Sequence, residues 1–232
     1  MIYITGNLCG RLDSWKKLLS QISFKQSDEL YILGDVIDCG PEPIKLLFDL
    51  MERPNVFTIL GRHEYMFLKC FRSIPSDAKT DSIAGYLSQE EAKIFADWIK
   101  GGGRVTFEQF MQLESDDREA ILDYLDEFVP FDIIKVKGKN YVLTYSGIRN
   151  FEAGRSLEDY PVQDFIYNKP KIGLNYFDDK VIVFAASLDK EQSSKILMDK
   201  NMISLNCPAE GMETQCALAC IRLDDMKEFY IE

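Results

Sequence analysis

The residues able to do chemistry lie in four short stretches. GNLCGRLD (6–13) offers Asn7 and Cys9, GDVIDCG (34–40) offers Asp35, Asp38 and Cys39, and GRHE (61–64) offers Arg62 and His63. Further along, YSGIR (145–149) brings Tyr145 and Arg149. An aspartate and a histidine in neighbouring loops are the groups of general acid–base catalysis. Carboxylates, imidazoles and thiolates ligate metals, and arginine grips phosphate with a planar fork of donors. His63 is the only histidine among 232 residues, which excludes any mechanism needing several imidazoles.

Strands and helices must position these loops. IYIT runs into the first loop and a helix from about Asp13, with Trp15, Leu18, Leu19 and Ile22 at helical spacing. ELYIL runs into the second, where Pro43 suits an early helical turn and Ile44, Leu47, Leu50 and Met51 form an apolar stripe. VFTIL runs into GRHE and a helix through Phe71. Strand, glycine-led loop and helix, repeated in this way, predict a parallel sheet with its loops on one edge. Such edges are where α/β proteins keep their chemistry.

Residues 76–128 read as a helical cap inserted in this frame. SQEEAKIFADWIK (88–100) and SDDREAILDYLDEFV (115–129) predict two helices separated by GGGR, the first capped by Ser88 with Glu91 and the second by Ser115. From Phe131 the pattern turns to strands: FDIIKV, NYVLTY, KVIVFAA, MISL, CALACIRL and EFYIE, with a hairpin turn at VKGKNY and a helix near Glu191–Met198. No linker divides the chain, so residues 1–232 read as one domain.

Composition narrows the classes. At 46% hydrophobic and 28% charged residues the chain suits a folded protein with a substantial core. A net charge of −11 repels nucleic acid and anionic lipid at long range, so neither is an expected partner. The longest apolar run, VIVFAASL, is far short of a membrane span, and Met1 leads straight into IYIT without a targeting pattern, so a cytoplasmic location is expected. The six cysteines form no C-x-x-C pair and read as reduced thiols.

In order and approximate spacing, these four stretches and FAAS (184–187) resemble the G-D-x-H-G, G-D-x-x-D-R-G, G-N-H-E, H-A-G and G-H-T patterns of the serine/threonine phosphoprotein phosphatases, within the calcineurin-like metallophosphoesterases. LYILGDVIDCGPEPIKLLFDLMERPNVFTILGRHEYMFLK is especially close to bacterial members. WIKGGGRVTF (98–107) resembles their W-x-x-N-G-G-x-x-T cap segment, and ACIRLDDMKEFYIE resembles their last strand pair. The resemblance implies a four-layer α/β/β/α metallophosphoesterase sandwich with a helical cap insertion. It also implies two divalent metals, such as manganese, iron or zinc, roughly 3.5–4 Å apart, which acidify water for in-line attack on a phosphoryl group.

Carried over residue by residue, the ligand set is changed at nearly every position. Asn7 stands for an aspartate, Cys9 for a histidine and Arg62 for an asparagine. Tyr145 and Ala186 stand for histidines, and only Asp35 is kept. Arg62 adds permanent positive charge where cations would sit: at about 4 Å, like charges repel by roughly 4 kcal/mol at an effective dielectric near 20. No metal cofactor is therefore expected. The arginine that would follow Asp38 is Cys39, and the W-x-R region reads DFIYNKP, leaving Asn168 or Lys169. Arg149 matches a position often arginine in bacterial relatives. Asp38 and His63 match the dyad that protonates the leaving oxygen.

The expected function is that of a phosphatase-like protein without catalysis, a pseudophosphatase that binds a phosphorylated ligand or protein partner through Arg149 and Arg62. The alternatives are a weak or mononuclear metal-dependent phosphoesterase using Asp35, Asn7 and Cys9 with His63 as acid, and a structural or oligomerising module. For Arg62 the readings are an ion pair with Asp35 or Asp38 and a solvent-pointing side chain. For Asp38 and His63 they are residual acid catalysis and an inherited structural bond. Cys9 and Cys39 admit a thiolate–zinc site with Asp35 or His63, or a cysteine nucleophile, beside the plainer reading of reduced thiols.

Overall fold

The structure is a computed structural model that describes residues 1–168, 170, 173–186, 195–207 and 218–231. Strands β1 (Ile2–Thr5), β2 (Glu29–Leu33) and β3 (Val56–Ile59) alternate with helices α1 (Leu12–Gln21), α2 (Pro43–Met51) and α3 (Arg62–Phe71). The cap follows as α4 (Ile83–Tyr86), α5 (Gln89–Trp98), α6 (Arg104–Phe110) and α7 (Ser115–Asp126). The remaining elements are β4 (Phe131–Val136), β5 (Lys139–Thr144), α8 (Val162–Ile166), β6 (Lys180–Ala186), β7 (Leu197–Asp199), β8 (Met202–Cys207), β9 (Leu218–Arg222) and β10 (Lys227–Ile231).

Two five-stranded sheets result, ordered β10-β9-β1-β2-β3 and β4-β5-β6-β8-β7. In the first, β1, β2 and β3 are parallel and β9 is antiparallel to β1; in the second, β5, β6 and β8 are parallel. Parallel strands covered on both faces need apolar side chains on both, hence the near-continuous runs in β2 and β6. Ile4, Leu33, Leu143, Val183, Leu205 and Ile221 bury the layer between the sheets. On the other face of the first sheet, Tyr3, Leu30 and Ile32 pack with Trp15, Leu47 and Phe67 of the helices. Phe165 of α8 joins Val142, Ile182 and Phe184 outside the second sheet. The α/β/β/α order expected from the resemblance is present, with α8 and its flanking loops as a slight fourth layer.

Three local expectations are corrected. Leu197–Asp199 is a strand paired antiparallel with β8, not helix, and residues 191–194 of that expected helix lie outside the described residues. Its entry is set from a distance, since the Ile196 N–H donates to the Tyr230 hydroxyl at 3.0 Å. Between the two expected cap helices lies a third, α6, reached through a wide turn at Ile99–Gly103 that Gly102 permits by adopting φ 111°. Ser115 is the first residue of α7 and makes no capping bond to its backbone, whereas Ser88 and Glu91 form the expected reciprocal cap at 3.3 and 2.9 Å. No helix among the described residues is long and apolar enough to cross a membrane.

Candidate functional site

Because β1, β2, β3, β5 and β6 run parallel within their sheets, each delivers the loop after it to one edge. The first two loops are laced by backbone bonds: Asn7 N–H to Gly34 O at 3.1 Å, Cys9 N–H to Asp35 O at 2.8 Å, Gly10 N–H to Val36 O at 2.7 Å and Gly40 N–H to Cys9 O at 2.9 Å. Asn7, Cys9, Asp35, Asp38 and Cys39 all adopt positive φ, between 46° and 72°. Non-glycine residues seldom do so, and such strain collects at functional sites.

Glu64 holds the second loop in place. Fully buried, it accepts the N–H groups of Val36 (2.7 Å) and Ile37 (3.1 Å) on Oε1, and those of Asp35 (3.0 Å) and Gly61 (3.1 Å) on Oε2. Only glycine fits at 61, since a Cβ there would lie 2.3 Å from Asp35 N and 2.5 Å from Glu64 Oε2. Burial raises the Glu64 carboxyl to about 7, with the charge of Asp35 adding to the rise. Sequence reasoning passed over this residue. Its signal was a glutamate three positions after a glycine that opens a helix, the spacing of a reciprocal cap.

Asp38 and His63 are brought together as expected, with Nδ1 2.5 Å from Asp38 Oδ2. Both are buried, and Asp38 has no exposed surface. The cap completes the shell of Asp38: Trp98 Nε1 donates to Oδ2 at 2.6 Å, the Thr106 hydroxyl donates to Oδ1 at 2.5 Å, and Thr106 accepts the Asp38 N–H at 3.0 Å. Gly103 lets the indole in, because a Cβ at 103 would lie 2.3 Å from its ring. Trp98 and Thr106 are the other residues whose roles sequence reasoning missed, although the segment that carries them was legible.

Around Asp35 the arrangement departs from expectation. Its direct side-chain donor is Tyr145, whose hydroxyl lies 2.6 Å from Oδ2, while Oδ1 accepts the His63 N–H at 3.4 Å. Among the described residues no ion pair joins Arg62 to Asp35 or Asp38; Arg62 Nη2 instead lies 3.4 Å from His63 Nε2. Burial raises the Asp35 carboxyl, opposed by the nearby charge of His63, the Tyr145 bond and Arg62. Burial and the Asp35 charge hold the Tyr145 phenol well above its ordinary range. Asn7 Oδ1 is buried without a hydrogen-bond partner, and Ala186 offers only backbone, its carbonyl accepting the Ser204 hydroxyl at 2.8 Å.

The remaining candidates lie further out. Arg149 is exposed and its Nε donates to buried Asp164 at 2.7 Å. Asn168 turns inward, donating to Ser146 O at 2.8 Å and the Tyr176 hydroxyl at 3.2 Å, and Lys169 lies outside the described residues. Cys9 is half-buried and Cys39 exposed, both outside any disulfide, and no group of three or more His, Cys, Asp or Glu among the described residues is placed to hold a metal ion.

A two-sheet sandwich whose parallel strands converge on an Asp–His pair beneath a helical cap defines a phosphoesterase-type α/β protein. The model of the calcineurin-like phosphoesterases matches residues 1–189, and the chain belongs to that family. The symmetrical bis(5'-nucleosyl)-tetraphosphatase of Azotobacter vinelandii is 31% identical over 101 residues, 43% of this chain and 36% of that protein. Its counterpart from Wigglesworthia glossinidia brevipalpis is 29% identical over 100 residues, 42% and 37% of the two chains. The chain thus spans little more than a third of the length of these curated relatives. They bear the tetraphosphatase name rather than that of a serine/threonine phosphatase, so the resemblance is established at the level of the wider family. The metallophosphoesterase from Sphaerobacter thermophilus superposes with a TM-score of 0.56 at 15% identity, covering 100% of this chain and 88% of its own. A protein provisionally assigned as a diadenosine tetraphosphatase superposes with 0.62 at 16%, covering 99% and 92%. At such identities the likeness establishes fold.

Proposed function

We propose that this chain is a phosphoesterase-fold protein that binds a phosphorylated ligand, or a phosphorylated partner protein, without hydrolysing it through a two-metal centre. The observation that carries the reading is the Tyr145–Asp35 bond. It occupies the one carboxylate kept from the family's ligand set with a phenol held neutral by its surroundings. A two-metal centre needs several hard oxygens and imidazoles, and a guanidinium, a phenol, a methyl and a thiol in their places do not supply them. Asn7 Oδ1 is one buried acceptor still available, too few for a pair of cations. Positive charge at Arg62 serves the purpose that metal served, attraction of a phosphoryl group. The names of the relatives suggest a nucleoside polyphosphate among candidate ligands.

A second reading, a weak or mononuclear metal-dependent phosphoesterase, is favoured by the intact Asp38–His63 contact. A general acid alone contributes about 10²–10⁴-fold, far less than phosphate-monoester hydrolysis demands, which reaches ~10²¹. Metal analysis of the purified chain, followed by turnover of p-nitrophenyl phosphate and bis(5'-adenosyl) tetraphosphate with manganese, separates the two. Binding without catalysis gives no stoichiometric metal, no turnover and a melting temperature raised by phosphate. Stoichiometric metal with turnover lost in His63→Ala supports the enzyme. No shift with any phosphorylated ligand leaves the structural or oligomerising role.

A further inference from the structure

Away from the loop edge, the cap holds a cation that its surroundings do not neutralise. Arg118 of α7 bridges three segments: Nη1 donates to Ser76 O at 3.0 Å and to Ala78 O at 2.8 Å, and Nη2 donates to Met111 O at 2.6 Å. All three acceptors are neutral carbonyls. Among the described residues no ion pair reaches Arg118, and three carboxylates of its own helix, Glu119, Asp123 and Asp126, are engaged by Arg72 instead. A guanidinium has five N–H donors, so two are left over, and the one on Nε is buried without a partner. A buried donor on a charged group is costly to leave unmet, and an unmet one asks for an acceptor from outside the chain.

The same arginine lines a hollow of about 210 Å³, partly open to solvent, whose other walls include Phe71, Ile83, Phe110, Met111 and Leu122. The guanidinium stands over the Phe110 ring, 5.9 Å from its centroid, and this contact together with the three carbonyls fixes its orientation. We infer that the hollow is a binding site for a small monocarboxylate with a short apolar body. The carboxylate accepts from the spare N–H donors of Arg118, and the body lies against the apolar walls. The planar fork of donors favours a carboxylate over a spherical anion, and apolar walls cannot replace the hydration of a bare inorganic ion. The hollow is below the roughly 300–1,000 Å³ of sites for larger ligands, so the body is limited to a few carbons. Met111, unbranched and flexible, is the wall that yields to let the carboxylate reach Nε. No residue of the loop edge lines the hollow, so the inference does not depend on how the cleft is read.

Calorimetric titration of the full-length chain at neutral pH with hexanoate, hexanol and acetate tests this. Hexanoate is expected to bind about tenfold or more tightly than hexanol, which lacks the charge, and than acetate, which lacks the body. Ala78→Leu and Ile83→Phe each fill the hollow while leaving Arg118 in place. Both are expected to melt near the unsubstituted chain and to lose hexanoate, and Arg118→Gln is expected to weaken it about tenfold. Intermolecular NOEs from the hexanoate chain to the Phe71 and Phe110 rings, measured on the unsubstituted chain, place the ligand whether or not a variant folds. Hexanol binding as well as hexanoate overturns the role of Arg118, and acetate binding as well overturns the role of the walls. Absence of hexanoate binding, absence of those NOEs, or unchanged binding in a folded filling variant overturns the site itself and leaves Arg118 as a clamp on the cap backbone alone.

Discussion

Tyr145 and Asp35 come from different sheets, yet the phenol of one donates to the carboxylate of the other across 2.6 Å at the shared loop edge. The bond gives Asp35, the one carboxylate that matches the family's ligand pattern, a neutral donor. On the proposed reading it ties stability and the exclusion of metal to the same pair of side chains.

Tyr145→Phe removes the donor and leaves a buried carboxylate oxygen short of a partner. The expected cost is about 1–3 kcal/mol, read as a lower urea midpoint with an unchanged slope. An unchanged midpoint means that Asp35 finds another donor and that the bond is incidental.

Installing the residues of the family's ligand pattern tests the same idea from the opposite side. A chain carrying Asn7→Asp, Cys9→His, Arg62→Asn, Tyr145→His and Ala186→His is expected to take up manganese in stoichiometric amount after metal loading and desalting, where the unsubstituted chain retains none. Equal manganese in both proteins contradicts the proposed exclusion of metal.

The cap is expected to depend on Asp38. Trp98→Phe keeps the ring packing but removes a donor to a buried carboxylate, at a cost of about 1.5–3 kcal/mol. Gly103→Ala forces a methyl against the indole and costs about 1–3 kcal/mol by overpacking. Calorimetric melting of each variant checks both values, and proteolysis is expected to cut first within the cap.

Glu64 gives a pH signature. Its carboxyl is raised from 4.5 to about 7 in the folded chain, so between those values the folded state binds more protons than the unfolded one. Its stabilising contribution is full below about pH 4.5 and is lost as pH rises toward 7, by about 3 kcal/mol at most. Glu64→Gln does not titrate. The stability gap between the two proteins is therefore expected to narrow from pH 5 to pH 8 in denaturant titrations. A gap that stays constant over that range means that the four backbone N–H donors outweigh burial and keep Glu64 ionised.

The sequence by itself determined the parallel strand–loop–helix frame, the cap segment, and which residues stand where family ligands stand. These follow from apolar periodicity and from loop spacing, which are local properties of the chain. It also brought Asp38 and His63 together by resemblance, and the structure places them in contact. What only the tertiary structure decided is who bonds to whom at the loop edge. Local pattern offered Arg62 a pairing by charge with Asp35 or Asp38, or a place pointing to solvent. The fold instead brings Tyr145 in from the other sheet, turns Arg62 toward His63, and seats Trp98 and Thr106 of the cap on Asp38. Those partners are separated by as many as 110 residues, and Glu64 gathers backbone groups from 29 residues away. Hydrogen-bond partnership over such separations is set by where strands end and sheets pack, and a buried polar group takes whichever partner that packing supplies.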